Sequence, residues 1–328
     1  MNYSSIAPVV PAVANIVDLP LDQALALVEK AFDTESIRAR QIAADEVVEY
    51  YRQSERAYRM FHSGAGALHI GMRTSDAPAD ANDKVGHRRH VELFAEQLDA
   101  IDAKRAIEFG CGMGFNVRSL AEQFADREFV GVDLSPHHLR SARRDAKGLA
   151  NVEFVEANYQ QLSFSDGSFD ALLAIETLCQ TDDQQLALAE AYRVLRPGGR
   201  MMVIDCFRNQ PLESFDAPLQ QAARLVEKTA AVDAFAVMDS WQAMATSLGF
   251  SLVSVVDRSA DTATDLARLY RLSRRFFNMS LAVKLIRRTM PPLAVENAIC
   301  GLLMPYTVGY SAHGYYSVVL EKPASVGN

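Results

Sequence analysis

A glycine-rich turn is the part of this sequence best suited to binding a ligand. Residues 108–114 read EFGCGMG and lie between a predicted strand, 104–109, and a predicted helix, 114–124. Glycines let the backbone turn sharply and approach a ligand closely. Asp133 ends the next predicted strand, where a carboxylate can accept hydrogen bonds from both hydroxyls of a ribose. The pattern predicts a site for a nucleoside-containing ligand.

An acidic residue, Glu176, follows the predicted strand 169–175 within the segment LLAIETLCQTDD. The carboxyl ends of parallel strands are where such sheets bind ligands, and a carboxylate there can stabilise a cation or remove a proton. Aromatic rings attract cations by roughly 0.5 to 2 kcal/mol each. The candidates for an aromatic wall are Tyr51, Tyr58, Phe61, Tyr306, Tyr310 and Tyr315. Chemistry on a hydroxyl group would instead use a histidine base, for which His62, His69 and His313 are candidates.

Alternating β-rich runs and helical patterns must position these groups. Beyond the strands already named, the sequence predicts strands at 128–133, 152–156, 201–205, 250–257 and 315–321, with a turn at 196–199. This order predicts an α/β fold with a Rossmann-like, doubly wound, mostly parallel sheet of seven strands. We expect a flexible segment over 1–20, a helical lid over 21–100, and a core over 101–328 with helical insertions at about 207–240 and 260–312 that cap the site.

The segment 104–207 resembles the class I S-adenosylmethionine-dependent methyltransferases nearly throughout. The similarity is carried by EFGCGMG, by GVDLS at 131–135, by FDALLAIE at 169–176 and by YRVLRPGGRMMVID at 192–205. It implies a glycine loop against the methionine moiety, Asp133 on the ribose and Asn158 on the adenine, although Ala157 and Asn158 stand where the family commonly has Gly-Asp. The implied cofactor-binding residues are Glu108, Gly110, Gly112, Gly114, Asn116, Asp133, Leu134, Asn158, Tyr159 and Ile175.

Within that family, the segment LLAIETLCQTDD most resembles the sterol and prenyl-diphosphate C-methyltransferases, which carry an acid at the position of Glu176. Upstream, VVEYYRQSERAYRMF at 47–61, ALHIGM at 67–72 and RHVE at 89–92 resemble the same group. This implies C-methylation of an isoprenoid alkene through a carbocation, with Glu176, Tyr51 and Tyr58 as catalytic residues. A diphosphate acceptor would arrive with Mg²⁺. Alternatives are a sterol or lipid methyltransferase, an O-methyltransferase of a hydroxylated natural product, a non-catalytic cofactor-binding protein and a nicotinamide-dependent oxidoreductase.

Composition limits the partners and the compartment. The formal charge of −8 argues against binding nucleic acid, and no apolar run is long enough for stable membrane insertion. Four cysteines without paired short spacing disfavour disulfides and a metal site, and Cys111 has no neighbouring base. We therefore expect a cytoplasmic enzyme with a small hydrophobic acceptor, and a homo-oligomer is compatible with the sequence.

Two basic segments allow more than one interpretation. Residues 279–290 have one apolar helical face and one basic face, which could be solvated, rest on an anionic membrane, or hold a diphosphate together with Arg274 and Arg275. His87 and His90 bracket Arg88 and Arg89, and for this segment we favour a solvated helix face over an anion site.

Overall fold

A seven-stranded sheet forms the centre of the protein. The computed structural model describes residues 8–59, 63–73 and 83–324. The strands lie in the order β3-β2-β1-β4-β5-β7-β6, and all neighbours are parallel except that β7 runs antiparallel to both β5 and β6. Their bounds are Arg105–Phe109 (β1), Glu128–Asp133 (β2), Val152–Glu156 (β3), Phe169–Ile175 (β4), Leu195–Arg208 (β5), Ser251–Asp257 (β6) and His313–Glu321 (β7). The predicted doubly wound, mostly parallel sheet is confirmed.

Strand β5 differs from its prediction. The RPGG segment, predicted as a turn, lies inside this strand, where Phe169 pairs with Leu195 but Ala171 already pairs with Arg200. The extra residues of β5 form a bulge that Gly198 permits with a φ of +75°. The predicted strand 201–205 is therefore the central part of a longer one, because a turn signal can be absorbed as a bulge within a sheet.

Helices cover both faces of the sheet and extend beyond it. Five precede β1: Pro11–Ala14 (α1), Leu21–Ala31 (α2), Thr34–Ala39 (α3), Ala44–Ala57 (α4) and Asp83–Ala100 (α5). Three connect the first five strands: Phe115–Gln123 (α6), Pro136–Asp145 (α7) and Gln184–Val194 (α8). Five follow β5: Ala217–Thr229 (α9), Met238–Ser247 (α10), Ala263–Asn278 (α11), Ser280–Thr289 (α12) and Pro292–Gly309 (α13). No helix within the described ranges is long and apolar enough to cross a membrane.

The early residues pack on the later helices. The backbone N–H groups of Val9 and Val10 donate to Gly309 O, and Val13 is fully buried. The carboxylate of Asp18 accepts hydrogen bonds from Tyr270 and Arg274. Residues 8–20, which the sequence predicts to be flexible, thus make buried contacts with α13, a partner that the local sequence pattern does not reveal.

Candidate active site

The glycine-rich turn leaves the carboxyl end of β1, between β2 and β4, and its conformation excludes larger side chains. Gly110 has a φ of +60°, and a Cβ at this position would lie 2.1 Å from Thr177 Oγ1 and 2.7 Å from Thr177 Cβ. Gly114 has a φ of +75° and would meet the ring of Phe154 at 2.7 Å. Gly110 and Gly112 line a cleft beside the turn, whereas Gly114 lies outside its wall and lets α6 begin close to β3.

Asp133 connects this turn to the start of α7. Its Oδ2 accepts the N–H of Gly112 at 2.8 Å, and its Oδ1 accepts the N–H of Ser135 at 2.8 Å. Ser135 caps α7 by accepting the N–H of His138, as its position before Pro136 predicts. A carboxylate has about four acceptor positions, so each oxygen retains capacity for a hydroxyl group in the cleft.

Glu108 lies almost completely buried beneath the turn. Its Oε1 accepts the side-chain N–H of Asn116 at 2.8 Å, and its Oε2 accepts the N–H of Val117 at 3.3 Å. Burial raises the pKa of Glu108 to about 8, and the charge of Asp133 adds to this effect while the two hydrogen bonds oppose it. Glu108 is therefore mostly neutral at pH 7 and would ionise beside a bound cation.

Four of the predicted cofactor-binding residues, Leu134, Asn158, Tyr159 and Ile175, line the cleft beyond the turn. Leu134 is 40% exposed, and Ile175 lines the wall. Asn158 uses its Oδ1 to accept the N–H of Gln160 at 2.9 Å, a turn-stabilising contact that leaves only part of this oxygen for a ligand. Tyr159 stacks on Phe109 with ring centroids 5.2 Å apart and donates to Thr177 O, so it supports the wall from behind.

Glu176 follows β4 in a strained backbone conformation, with a φ of +44°. Its N–H donates to Ile204 O, while its Oε1 accepts both the N–H of Ile70 and the hydroxyl of Tyr315 at 2.7 Å. Burial raises the pKa of Glu176 to about 8, and the charges of Asp205 and Asp265 raise it further against these two hydrogen bonds. Strain and an unfavourable charge at one residue are typical of functional sites.

Helix α4 forms one wall of the cleft. Ala44, Val47, Val48 and Tyr51 line it at the spacing of one helical face. The Tyr51 hydroxyl donates to Gln180 Oε1 at 3.2 Å, and its ring lies 5.5 Å from that of His138.

Two more tyrosines of this region lie beside Tyr51. Its ring centroid is 5.1 Å from that of Tyr50 and 6.0 Å from that of Tyr58. Tyr58 does not line the cleft but hydrogen-bonds Tyr50, whose hydroxyl donates to Asn297 Oδ1. Burial raises the pKa of all three hydroxyls well above its usual value, so they stay protonated and cannot act as bases.

Several residues predicted to form the aromatic wall or to act as bases do not line the cleft. Tyr306 donates to Leu19 O, and neither it nor Tyr310 lines the cleft. His313 is fully buried beside Glu227. Phe61 and His62 lie outside the described residues. Of the candidate histidine bases, the structure places His69 in the cleft, where its Nε2 lies 3.3 Å from Asn116 Oδ1.

None of the basic side chains that the structure describes in these two segments lines the cleft. Arg274 is paired with Asp18, Arg275 is exposed, and Arg287 stacks over the Phe32 ring at 4.8 Å. His87 and His90 are fully buried, so the predicted solvated face is wrong for them, because both pack against the ring of His69. Among the described lining residues the acidic side chains are Glu108, Asp133, Glu176 and Asp182, and none is a lysine or an arginine.

Sequence reasoning missed several groups around Glu176. Asp205 is 1% exposed and accepts the N–H groups of Cys179 and Cys206, which fixes the turn after β4. Burial raises the pKa of Asp205 to about 6. Cys300 lies close enough to Glu176 for its charge to raise the thiol pKa. The final aspartate of the 192–205 motif was the available signal for Asp205, whereas nothing in the sequence singled out Cys300.

Comparison with known proteins finds a family model that matches the part of the chain from β1 to β5. Residues 107–203 match the family model of a methyltransferase domain. The O-methyltransferase rstn1 of Aspergillus nomiae is 32% identical over 146 residues, which is 44% of this chain and 64% of that protein. The sterol 24-C-methyltransferase erg6 of Aspergillus fumigatus is 31% identical over 140 residues, covering 42% of this chain and 37% of that protein. The chain spans less than two thirds of the length of these relatives.

A solved structure extends the likeness to most of the chain. The geranyl diphosphate C-methyltransferase of Streptomyces coelicolor A3(2), in complex with Mg²⁺, geranyl diphosphate and S-adenosyl-L-homocysteine, has a TM-score of 0.62. The match covers 85% of this chain and 97% of that chain at 14% sequence identity. At this identity the likeness concerns the fold, including the elements outside the family match.

Proposed function

We propose that this chain is a class I S-adenosylmethionine-dependent methyltransferase, as the methyltransferase-domain match over residues 107–203 supports, and that it methylates an alkene carbon of an uncharged isoprenoid. In this reaction the alkene forms a C–C bond with the methyl group as the S–C bond breaks. The resulting carbocation loses a proton to Glu176, and the electrons of that C–H bond form the new double bond. The observation that carries the proposal is a strained, buried carboxylate, Glu176, which lines the cleft together with the ring of Tyr51.

The cleft has features that suit S-adenosylmethionine. Side chains at Gly110 and Gly112 would meet Thr177 and Leu68, and these glycines leave the backbone open to the ligand. Asp133 retains acceptor capacity for ribose hydroxyls, and Glu108 could balance the charge of the ligand's amino group. Asn116, Leu134, Asn158, Tyr159 and Ile175 would complete the site, with Gly114 setting the turn. When bound, the cofactor supplies the methyl group and a positive sulfonium.

The acceptor side does not fit a magnesium diphosphate. Its described lining holds carboxylates and no lysine or arginine, and no described group of three or more His, Cys, Asp or Glu side chains is arranged to hold a metal ion. A diphosphate would place several negative charges near Glu176 and Asp205 without compensation, which is strongly unfavourable in a buried site. A developing carbocation has the opposite sign and would be stabilised there by Glu176 together with the ring of Tyr51, while Tyr58, predicted as a second catalytic tyrosine, would support that ring from outside the cleft. A neutral terpenoid or sterol alkene is therefore the acceptor that we propose.

The N-terminal helices would act as a cap over this site. The ring of Tyr51 lies against His138, and Glu55 pairs with His137, so α4 contacts the start of α7 at two points. Helix α13 of the second insertion supports α4 through the hydrogen bonds of Asn297 to Tyr50 and Ser54. We infer that the predicted lid excludes water from the reacting groups, which would otherwise capture a cation.

O-methylation of a hydroxylated product is the second candidate. It is favoured by His69, an imidazole in the cleft, and by the similarity to an O-methyltransferase. In that reaction His69 would take the hydroxyl proton as oxygen forms its bond to the methyl group.

Incubation with methyl-labelled S-adenosylmethionine and a panel of acceptors tests these alternatives. The panel contains a neutral prenyl alcohol, its diphosphate with and without Mg²⁺, a sterol, a phenol and a fatty acid. We expect label on carbon of a neutral alkene, a drop in rate of at least 100-fold in Glu176→Gln, and little effect of His69→Asn. Label on oxygen, together with a large loss of rate in His69→Asn and little effect of Glu176→Gln, would contradict our assignment. Thermal protection by S-adenosylhomocysteine but not by NAD would separate both enzymes from an oxidoreductase.

A further inference from the structure

The two carboxylate oxygens of Glu176 have different surroundings. Oε1 accepts hydrogen bonds from the N–H of Ile70 and from the hydroxyl of Tyr315, both at 2.7 Å. No hydrogen-bond partner for Oε2 occurs among residues 8–59, 63–73 and 83–324, and Glu176 lines the cleft. One oxygen is thus fixed by the protein while the other is left for the acceptor.

Tyr315 lies between Glu176 and a buried histidine. Its hydroxyl is 2.7 Å from Glu176 Oε1 and 3.0 Å from His90 Nε2, and the side chains of Tyr315 and His90 are 1% and 0% exposed. A tyrosine hydroxyl has one proton to donate. When Glu176 is ionised this proton goes to its carboxylate, so the Tyr315 oxygen must accept a hydrogen bond from His90 Nε2–H. The ring of His90 therefore selects the direction in which Tyr315 donates.

Few groups near Glu176 stabilise its ionised form against the carboxylates that raise its pKa. Asp205 on β5 and Asp265 on α11 raise its pKa, and Tyr51, Tyr58, Cys179, Cys206 and Cys300 all lie within electrostatic range of it. Burial and the neighbouring His69 and His87 lower the pKa of His90 well below its usual value, so His90 is neutral and supplies no compensating charge. The hydrogen bonds from Tyr315 and Ile70 are what stabilise the ionised carboxylate.

We propose that Tyr315, oriented by His90, is the positioning residue that holds Glu176 by Oε1 and thereby presents Oε2 to the acceptor as the proton-accepting atom. This assignment rests on the proposed function of Glu176 as a base. It goes beyond that function because it gives roles to two residues from β7 and α5, which lie 139 and 86 positions from Glu176 in the sequence.

The test compares Tyr315→Phe with Tyr316→Phe. Tyr316 neighbours Tyr315 in β7 and donates to Asn209 Oδ1 at 2.6 Å, so its variant also loses one tyrosine hydrogen bond but does not touch Glu176. The titration of the Glu176 carboxyl is followed in the free protein by carbon NMR, with Glu176→Gln to assign the signal. We expect Tyr315→Phe to raise the Glu176 pKa by at least about one pH unit and Tyr316→Phe to leave it unchanged.

His90 is tested by two further variants. His90→Gln retains an N–H donor near the Nε2 position and should keep the Glu176 titration close to that of the wild type, whereas His90→Leu removes the donor and should shift the titration towards that of Tyr315→Phe. In the active enzyme, the acidic limb of the kcat profile should move by the same amount as the titration. An unchanged titration in folded Tyr315→Phe overturns the inference, whether or not any acceptor is methylated. Absence of methyl transfer by the wild type overturns the proposed function, while the NMR titration still decides the role of Tyr315.

Discussion

Binding of S-adenosylmethionine at pH 7 should release between one and two protons from the protein. Glu108 and Glu176 each have a pKa of about 8, because burial disfavours their charged forms. At pH 7 each carboxyl is therefore protonated in about nine-tenths of the molecules. The ligand brings an ammonium group, which we place near Glu108, and a sulfonium, which we place on the side of Glu176. Both carboxyls should ionise when it binds.

The energy needed to ionise each carboxyl is about what one nearby positive charge can supply. To be ionised in about nine-tenths of the molecules at pH 7, each carboxyl needs its pKa to fall from about 8 to about 6, which corresponds to about 2.7 kcal/mol. A unit positive charge about 6 Å from a carboxylate supplies about this energy at an effective dielectric constant of about 20. S-adenosylhomocysteine has the ammonium but lacks the sulfonium charge. It should therefore release about 0.8 proton fewer than S-adenosylmethionine, since Glu176 stays mostly neutral.

Calorimetric titration in buffers of different ionisation enthalpy measures the number of protons released. The titration of each ligand's own amino group is measured separately in solution and subtracted. In Glu176→Gln, which has no proton to lose at this position, the difference between the ligands should vanish. Equal proton release by both ligands in the wild-type protein would refute the reasoning, because it would mean that no charge of the cofactor reaches Glu176.

Three further predictions concern protein stability and cofactor binding. In thermal scans, Glu176→Gln should raise Tm at pH 8 but not at pH 4.5. The pKa of Glu176 is higher in the folded than in the unfolded protein. The wild type therefore loses about 1.4 kcal/mol of folding stability for each pH unit by which the pH rises between those two pKa values, and the variant does not. A gain that is the same at both pH values would contradict this. Gly110→Ala should abolish cofactor binding in calorimetry, whereas Gly148→Ala, also at positive φ but with open space around it, should bind normally and cost about 1 kcal/mol in denaturant. Glu227→Gln should cost about 3 to 5 kcal/mol in urea unfolding, because it leaves Arg208 without its buried partner; a double change of Arg208→Met with Glu227→Leu should cost less than that single change.

The sequence predicted the features of the site that depend on local backbone geometry. The glycines of the turn, the carboxylate of Asp133 and the acid at Glu176 were identifiable because each occupies a fixed place at the end of a strand, and parallel strands end along one edge of a sheet. The cap at Ser135 followed from residues adjacent in the chain. Periodicity likewise predicted the seven strands, although it misplaced the RPGG bulge in β5.

The sequence by itself thus determined the fold class and the position of the candidate cleft beside the glycine-rich turn, because short-range backbone preferences and the order of strands encode both. Only the tertiary structure decided which side chains surround Glu176. Ile70, His90 and Tyr315 come from separate elements, and their meeting depends on how α5 packs on the sheet and on β7 running antiparallel beside β5. Burial, which sets the pKa of Glu176 and leaves His90 neutral, is a property of that packing and has no signature in the spacing of residues along the chain.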